Sequence, residues 1–145
     1  MQSGIKKAGK KTVLVGGCFD LLHYGHYTFL KKAKNCGDYL IVAVESDEFI
    51  LKHKKRNSVH SQRERAEILS ELKCVDEVIQ MPYLSSDSEY EQFVKKIKPD
   101  IIAVTQGDPQ IKNKRKQVAQ VGGELKIVTP LLADFSSQKI IDSLL

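Results

Sequence analysis

The chain has 145 residues, of which 41% are hydrophobic and 28% are charged, an ordinary composition for a globular protein. This length supports one domain with a single core and is too short for two domains of usual size. No apolar run approaches the roughly 18 residues that a membrane span requires, so no membrane partner is expected.

The net charge of +5 raises the question of a nucleic-acid partner. Several of the lysines lie within residues 1–11, which we interpret as a flexible basic leader before a domain over 12–145. The basic clusters over 52–56 and 112–116 contain no Phe, Tyr or Trp on which bases could stack. A small polyanion such as a triphosphate explains the charge equally well, so no nucleic-acid partner is expected.

The cysteines and the N-terminus bear on the compartment. Cys18, Cys36 and Cys74 are odd in number and show no Cys-x-x-Cys spacing, so neither a disulfide framework nor a zinc site is expected. The basic N-terminus lacks the apolar segment of an export signal. These features predict a cytoplasmic protein with reduced thiols.

Predicted strands and helices alternate along the chain. In chain order they are strand 12–16, helix 25–35, strand 39–44, helix 61–72, strand 75–80, helix 88–97, strand 100–104, helix 111–121, strand 125–128 and helix 136–144. The strands are rich in Val and Ile without clean alternation, as expected when both faces are covered. The pattern predicts a single-domain, Rossmann-like α/β fold, a doubly wound parallel sheet of five strands with helices on both faces.

Polar segments follow several of these strands. A parallel sheet binds ligands beyond the carboxyl ends of its strands, where the strand order reverses. The polar stretches over 16–26, 45–47, 106–108 and 133–137 all reach that edge in the predicted topology. Their convergence predicts a binding site there.

The segment Gly16–His26 is the most informative of these stretches. It reads Gly-Gly-Cys-Phe-Asp-Leu-Leu-His-Tyr-Gly-His and connects a strand to a helix. A helix N-terminus offers unpaired N–H groups and the positive end of the helix dipole, which together favour an anion. Gly25 allows close approach of a ligand, and the imidazoles of His23 and His26 can donate hydrogen bonds to phosphoryl oxygens. The segment predicts a phosphate site.

This string resembles the signature of the cytidylyltransferase-like nucleotidylyltransferases, and most of all that of the glycerol-3-phosphate cytidylyltransferases. The similarity continues through Gly37–Val44, Ser46–Phe49 and Val75–Ile79. It is strong over residues 12–80 and loose beyond them. Such enzymes transfer a nucleoside monophosphate from a triphosphate to a phosphorylated acceptor and release pyrophosphate. The resemblance implies the same reaction here, with Mg²⁺ accompanying the triphosphate and a homodimer as the assembly.

The resemblance also implies roles for particular residues. The catalytic candidates are His23, His26, Lys54 and Arg65, with Lys55 as the alternative to Lys54 in a basic run that we interpret as a mobile loop. Arg65 has a competing interpretation as a solvent-facing helix residue. The candidates for nucleotide binding are Gly17, Cys18, Phe19, Asp20, Gly25, Asp47, Lys55, Gly107, Asp108, Ser136 and Ser137.

Two of these candidates have a second interpretation. Asp20 either orients a histidine or bonds the backbone across the turn, and the structural role is preferred. Ser136 and Ser137 open the last predicted helix, where serines cap the backbone whether or not they also bind the triphosphate.

The second half of the chain departs from the family pattern in ways that bear on the base. The arginine of the family's last element is Leu131 here, its Arg-Tyr-Val-Asp is Lys73-Cys74-Val75-Asp76, and its Gly-Asp-Asp-Trp is Gly107-Asp108-Pro109-Gln110. Lysine lacks the planar bidentate donor of arginine, and the stacking surface of the tryptophan is missing.

The leading hypothesis is therefore transfer of CMP from CTP to a small acceptor similar to glycerol 3-phosphate. The first alternative is an adenylyltransferase that acts on a sugar phosphate or on FMN. An alternative of another class is a non-catalytic module that binds the nucleotide without reacting it.

Overall fold

The computed structural model describes residues 8–130 and 137–144 of the chain. Its five strands form one parallel sheet in the order β3-β2-β1-β4-β5. The strands are β1 (Thr12–Gly17), β2 (Tyr39–Val44), β3 (Glu77–Gln80), β4 (Ile101–Thr105) and β5 (Glu124–Thr129). The order reverses beside β1, so the predicted doubly wound, Rossmann-like sheet is confirmed.

Helices follow the strands and cover both faces of the sheet. They are α1 (Tyr24–Lys34), α2 (Asp47–Lys54), α3 (Gln62–Ser70), α4 (Asp87–Ile97), α5 (Ile111–Ala119) and α6 (Ser137–Leu144). The predicted helices match all of these except α2, which was not expected. The boundaries differ from the predicted ones by at most two residues.

Two apolar cores lie on opposite faces of the sheet. Alternate residues of each central strand point to opposite faces, so Val13 belongs to one core and Leu14 to the other. Leu30 of α1 and Leu69 of α3 pack on the first face. The second face is covered by α4 and α5 and, as shown below, is not completely filled.

Helix α2 corrects one prediction. Leu51–Arg56 was expected to be a mobile loop without apolar anchors, but Leu51–Lys54 form the second half of α2. The Ser46 hydroxyl caps the helix by accepting the Phe49 N–H at 3.1 Å, and Ile50 is fully buried. The loop prediction was wrong because the basic residues are the solvated face of an anchored helix.

The predicted leader lies largely outside the described residues, which begin at Ala8. Within the described part, Lys11 is already attached to the domain, since its N–H donates to Asp38 and its carbonyl accepts from Asp38 and Tyr39. No helix of the described segments is both long and apolar enough to cross a bilayer.

Candidate nucleotide-binding site

A cavity of about 980 Å³ opens at the carboxyl edge of the sheet and runs between the sheet and helices α4 and α5. Its walls combine residues that follow β1, β2 and β4, as the topology predicted. The predicted site residues that line it are Gly17, Cys18, Phe19, Asp20, His23, Gly25, His26, Lys54 and Asp108.

The turn between β1 and α1 has an uncommon backbone. Phe19 and Leu21 adopt φ values of 49° and 65°, the left-handed region that side chains other than glycine rarely enter. Such conformations persist only where the surrounding structure fixes them. Asp20, which lies between Phe19 and Leu21, holds the turn in this shape.

Asp20 joins the turn to the segment between α2 and α3. Its carboxylate accepts hydrogen bonds from the Val59 N–H at 2.8 Å, the His60 N–H at 3.0 Å and the Arg56 guanidinium at 2.8 Å. Burial alone would raise the pKa of Asp20, but these hydrogen bonds outweigh it and hold the pKa below its ordinary value. The carboxylate therefore acts on the protein itself, which fits the structural interpretation better than nucleotide contact.

His23 is the N-cap of α1 and its tautomer follows from its hydrogen bond. Its Nδ1 accepts the Gly25 N–H at 3.1 Å, so the proton of the neutral ring is on Nε2. Nε2 is then a hydrogen-bond donor at the mouth of a helix N-terminus, where an anion is favoured.

His26 stacks on His23, with ring centroids 3.8 Å apart and an angle of 23° between the planes. Phe19 meets the His26 ring edge to face at 5.3 Å. Burial, aided by the charge of His23, lowers the pKa of His26 to about 4, and burial also lowers the pKa of His23. Because both pKa values are lowered, the two imidazoles are neutral at pH 7. The Nδ1 atom of His26 is buried without a hydrogen-bond partner among the described residues.

Arg65 does not reach the cavity. Its side chain is fully buried, which excludes the solvent-facing interpretation. The guanidinium donates to the carbonyls of Cys18 and Glu45 at 2.7 and 2.8 Å and to the carboxylate of Asp47 at 2.7 Å, while Nε donates to the His60 carbonyl at 3.1 Å. A side chain so occupied positions the surrounding loops, so the predicted catalytic contact is replaced by a positioning role.

The basic candidates separate in the structure. Lys54 lines the cavity, whereas Lys55 does not and ends α2 with φ 57°. Asp47 also lies off the cavity, because its carboxylate accepts from Arg65 and from the Ser58 hydroxyl at 3.1 Å.

The remaining candidates lie beyond β4 and near α6. Gly107 supplies a turn at φ 87° without lining the cavity, and Asp108 pairs with Lys114 at 2.7 Å on its rim. Ser136 lies outside the described residues, and Ser137 begins α6, but its side chain is also outside the described part.

Sequence reasoning missed a polar cluster deep in the cavity. The Tyr90 hydroxyl of α4 donates to Glu45 Oε2 at 2.9 Å, and Gln117 of α5 lines the same space. Burial raises the pKa of Glu45, against the opposing effects of Tyr90, Lys114 and Arg65. Glu45 follows β2 at the predicted edge and was noted there without a role, but no sequence signal connected it to Tyr90.

No metal centre is built into the described residues. Across 8–130 and 137–144, no group of three or more His, Cys, Asp or Glu side chains is arranged to hold a metal ion.

The turn between β1 and α1 opens on a cavity at the carboxyl edge of a doubly wound sheet. This arrangement is typical of nucleotide-binding α/β proteins. The chain belongs to the cytidylyltransferase-like family, whose family model matches residues 14–142.

Within this family, the chain is similar in sequence to proteins of known name. It is 46% identical over 101 residues to an FAD synthase of Thermococcus onnurineus, an alignment that covers 68% of this chain and 65% of that protein. It is 33% identical over 144 residues to the bifunctional protein HldE of Desulfatibacillum aliphaticivorans, covering 97% of this chain and 28% of HldE. The chain thus spans slightly less than two thirds of the FAD synthase.

A solved structure shows the same fold. The lipopolysaccharide core biosynthesis protein of Thermoplasma volcanium superposes with a TM-score of 0.67 at 28% identity, covering 85% of this chain and 97% of that one. None of these three proteins carries the glycerol-3-phosphate cytidylyltransferase name that the sequence led us to expect.

Proposed function

We propose that this protein transfers AMP from ATP to a small phosphorylated acceptor, with FMN as the first candidate and a sugar phosphate as the second. FAD is FMN joined to AMP through a phosphoanhydride, so an FAD synthase relative supports this transfer. The sugar phosphate is kept as the second acceptor. The FAD synthase relative favours the adenylyl alternative over the cytidylyl hypothesis.

The stacked pair of His23 and His26 carries the proposal. In the reaction an oxygen of the acceptor phosphate attacks the α-phosphorus of ATP, the bond to the bridging oxygen breaks, and pyrophosphate leaves with the electron pair. Negative charge grows on the oxygens around the α-phosphorus, and donors already aimed at them stabilise the transition state. His23 Nε2–H is such a donor, and the Gly25 N–H holds the ring in the tautomer that provides it.

The low pKa of each imidazole suits this role. Because both rings are neutral before the triphosphate binds, they stack without repulsion. An anion at the helix N-terminus raises the pKa of a neighbouring imidazole, which strengthens the ring N–H as a hydrogen-bond donor to that anion. Lys54 adds a cation on the cavity wall, and Mg²⁺ enters bound to the triphosphate.

The test is a matrix of substrates. The protein is incubated with MgATP or MgCTP and each of FMN, a sugar 1-phosphate and glycerol 3-phosphate, and both pyrophosphate and the nucleotide product are quantified. We expect ATP with FMN to give the highest kcat/KM and FAD as product. A higher kcat/KM for CTP with glycerol 3-phosphate would restore the cytidylyl hypothesis, and no turnover with any pair would leave only the binding module.

The homodimer stays a prediction. Light scattering during gel filtration measures the mass directly and decides it.

A further inference from the structure

One part of the cavity lies over small residues of the sheet. Gly16 of β1, which has no side chain, pairs directly with Ala43 of β2, and both residues line the cavity. A Cβ added to Gly16 would meet only the Ala43 carbonyl oxygen, at 3.8 Å. The floor is therefore bare backbone with open space above it.

The opposite wall is aromatic. Tyr90 and Phe93 of α4 line the cavity across from the sheet, and Met81 and Leu84 close the side. A space bounded by flat backbone below and aromatic side chains above suits a planar ring, since rings stack favourably on both surfaces.

At the carboxyl edge of the sheet, this part of the cavity carries an unused hydrogen-bond acceptor. Glu45 lies two residues after Ala43, so it points to the same face of the sheet, and it is only 8% exposed. Its Oε2 accepts from Tyr90, whereas its Oε1 is buried without a partner among the described residues. A buried carboxylate oxygen without a donor is costly, which points to a ligand that supplies one.

A second polar group faces the same space. Gln117 is 7% exposed and lines the same cavity as Glu45. Its amide offers both a donor and an acceptor. Together with Glu45 Oε1, these groups suit a ring edge on which an N–H is flanked by carbonyl oxygens.

We propose that this ring slot, formed by Gly16, Ala43, Glu45, Tyr90, Phe93 and Gln117, binds the planar heterocycle of the acceptor through a ring N–H that donates to Glu45 Oε1. The slot therefore selects a ring-bearing acceptor over a simple sugar phosphate. The assignment of the ring to the acceptor rests on the proposed function. Gly16 lies one residue before the end of β1, and the turn that carries His23 follows, so a phosphate on a chain attached to the ring lies toward His23 and His26.

Direct binding tests the slot without catalysis. Riboflavin, which has the ring but no phosphate, is titrated by quenching of its fluorescence against the wild type, Glu45→Gln and Gly16→Ala. Glu71→Gln is the matched control, since it makes the same carboxylate-to-amide change on an exposed residue. Binding of MgATP and of adenosine is measured in parallel as a check of folding and of the base.

We expect Glu45→Gln to weaken riboflavin binding about 10-fold or more, because the amide can present a donor toward the ring N–H. Gly16→Ala weakens it similarly by raising the floor, and Glu71→Gln leaves it unchanged. Affinity for MgATP stays within about twofold in all variants. If Glu45→Gln does not fold, Gly16→Ala decides alone.

Three results overturn the ring slot. The first is that the wild type does not bind riboflavin, and the second is that both slot variants bind it as the wild type does. The third is that the slot variants lose adenosine binding and keep riboflavin binding, which would mean that the slot binds adenine. Failure of the proposed function looks different, since a wild type that binds riboflavin but forms no FAD would keep the slot and lose the reaction.

Discussion

At the scale of single residues, the site depends on a side chain that never touches the cavity. The guanidinium of Arg65 gathers the carbonyls of Cys18 and Glu45, the carbonyl of His60 and the carboxylate of Asp47. Three separate segments thus share one planar donor. Only arginine offers donors in such a fixed fork, and the fork is buried, so the three carbonyls depend on it, whereas Asp47 also accepts from the Ser58 hydroxyl.

Arg65→Lys tests this dependence. Lysine keeps the charge but cannot reach all the acceptors, so buried carbonyls lose their donor and unfolding becomes easier by about 2–4 kcal/mol. Urea denaturation at pH 7 measures the change. Arg63→Lys on the exposed face of the same helix, where Arg63 pairs with the exposed Glu67, changes stability by less than about 0.5 kcal/mol. Equal stability of the two variants would contradict the positioning role.

His23→Ala and His26→Ala each lower kcat with ATP and FMN by about 10²–10³ and change KM far less. The reason is that, in the proposed reaction, the imidazoles act on charge that appears only in the transition state. Steady-state kinetics with circular dichroism as a folding check measures both effects. Tyr24→Phe, on an exposed side chain between them, is the control. Near-normal kcat in either histidine variant would leave that residue only a structural role.

The low pKa of His26 makes stability fall in acid. The unfolded chain binds the proton near pH 6.5 and the folded chain only near pH 4, so acidification favours unfolding across that window. The contribution is fully present above about pH 6.5 and decreases as the pH falls toward 4. Between pH 7 and 4.5, the free energy of unfolding should therefore fall by about 2–3 kcal/mol less in His26→Gln than in the wild type, as measured by urea denaturation. Parallel curves for the two proteins would refute the shift.

At the scale of elements, two helices end on a lysine in the left-handed conformation. Lys55 ends α2 with φ 57° and Lys98 ends α4 with φ 53°. Glycine adopts this conformation without the steric cost that a Cβ imposes. The two lysines form a matched pair, because Lys55 follows the cavity-lining Lys54 and Lys98 precedes β4 at the opposite edge of the sheet.

Lys55→Gly and Lys98→Gly should each raise the free energy of unfolding by about 0.5–1 kcal/mol. Chemical denaturation measures this gain. If Lys55 also contacts phosphate, Lys55→Gly alone weakens MgATP binding, which calorimetry detects. A loss of stability in both variants would show that the lysine side chains hold the helix ends.

The sequence could predict the elements whose pattern is local. Tyr39–Val44 was found as a strand from its β-branched run, and the turn at His23 and His26 from its residue types. Helix α2 was missed because its one fully buried residue, Ile50, creates no periodicity among the charges that surround it. The burial of Arg65 and the contact of Tyr90 with Glu45 were not predictable, since both depend on segments that meet only in the folded chain.

At the scale of the whole molecule, the two faces of the sheet differ in how completely they are packed. The face under α1 and α3 is closed by packed side chains, whereas the face under α4 and α5 keeps the cavity. Open space in a core forgoes packing contacts, so this half of the molecule gains more from a ligand than the other half does.

Ligand binding should therefore stabilise the whole fold. With MgATP at about 100 times its Kd, the free energy of unfolding rises by about 2.7 kcal/mol, because only the folded chain binds it. Denaturation with and without MgATP measures the increase. His23→Ala should reduce the increase only as far as it weakens binding. No increase at saturating MgATP would mean that the cavity does not hold the nucleotide.

The three hydrogen bonds from Arg56, Val59 and His60 to Asp20 make the phosphate turn and segment 56–60 one cooperative unit. Thermodynamic reciprocity then applies to the pair. A ligand that requires the turn in its strained shape reduces the opening of segment 56–60, and anything that opens the segment weakens the ligand by the same factor. A regulator bound to segment 56–60 could thus control what the cavity holds without ever entering it.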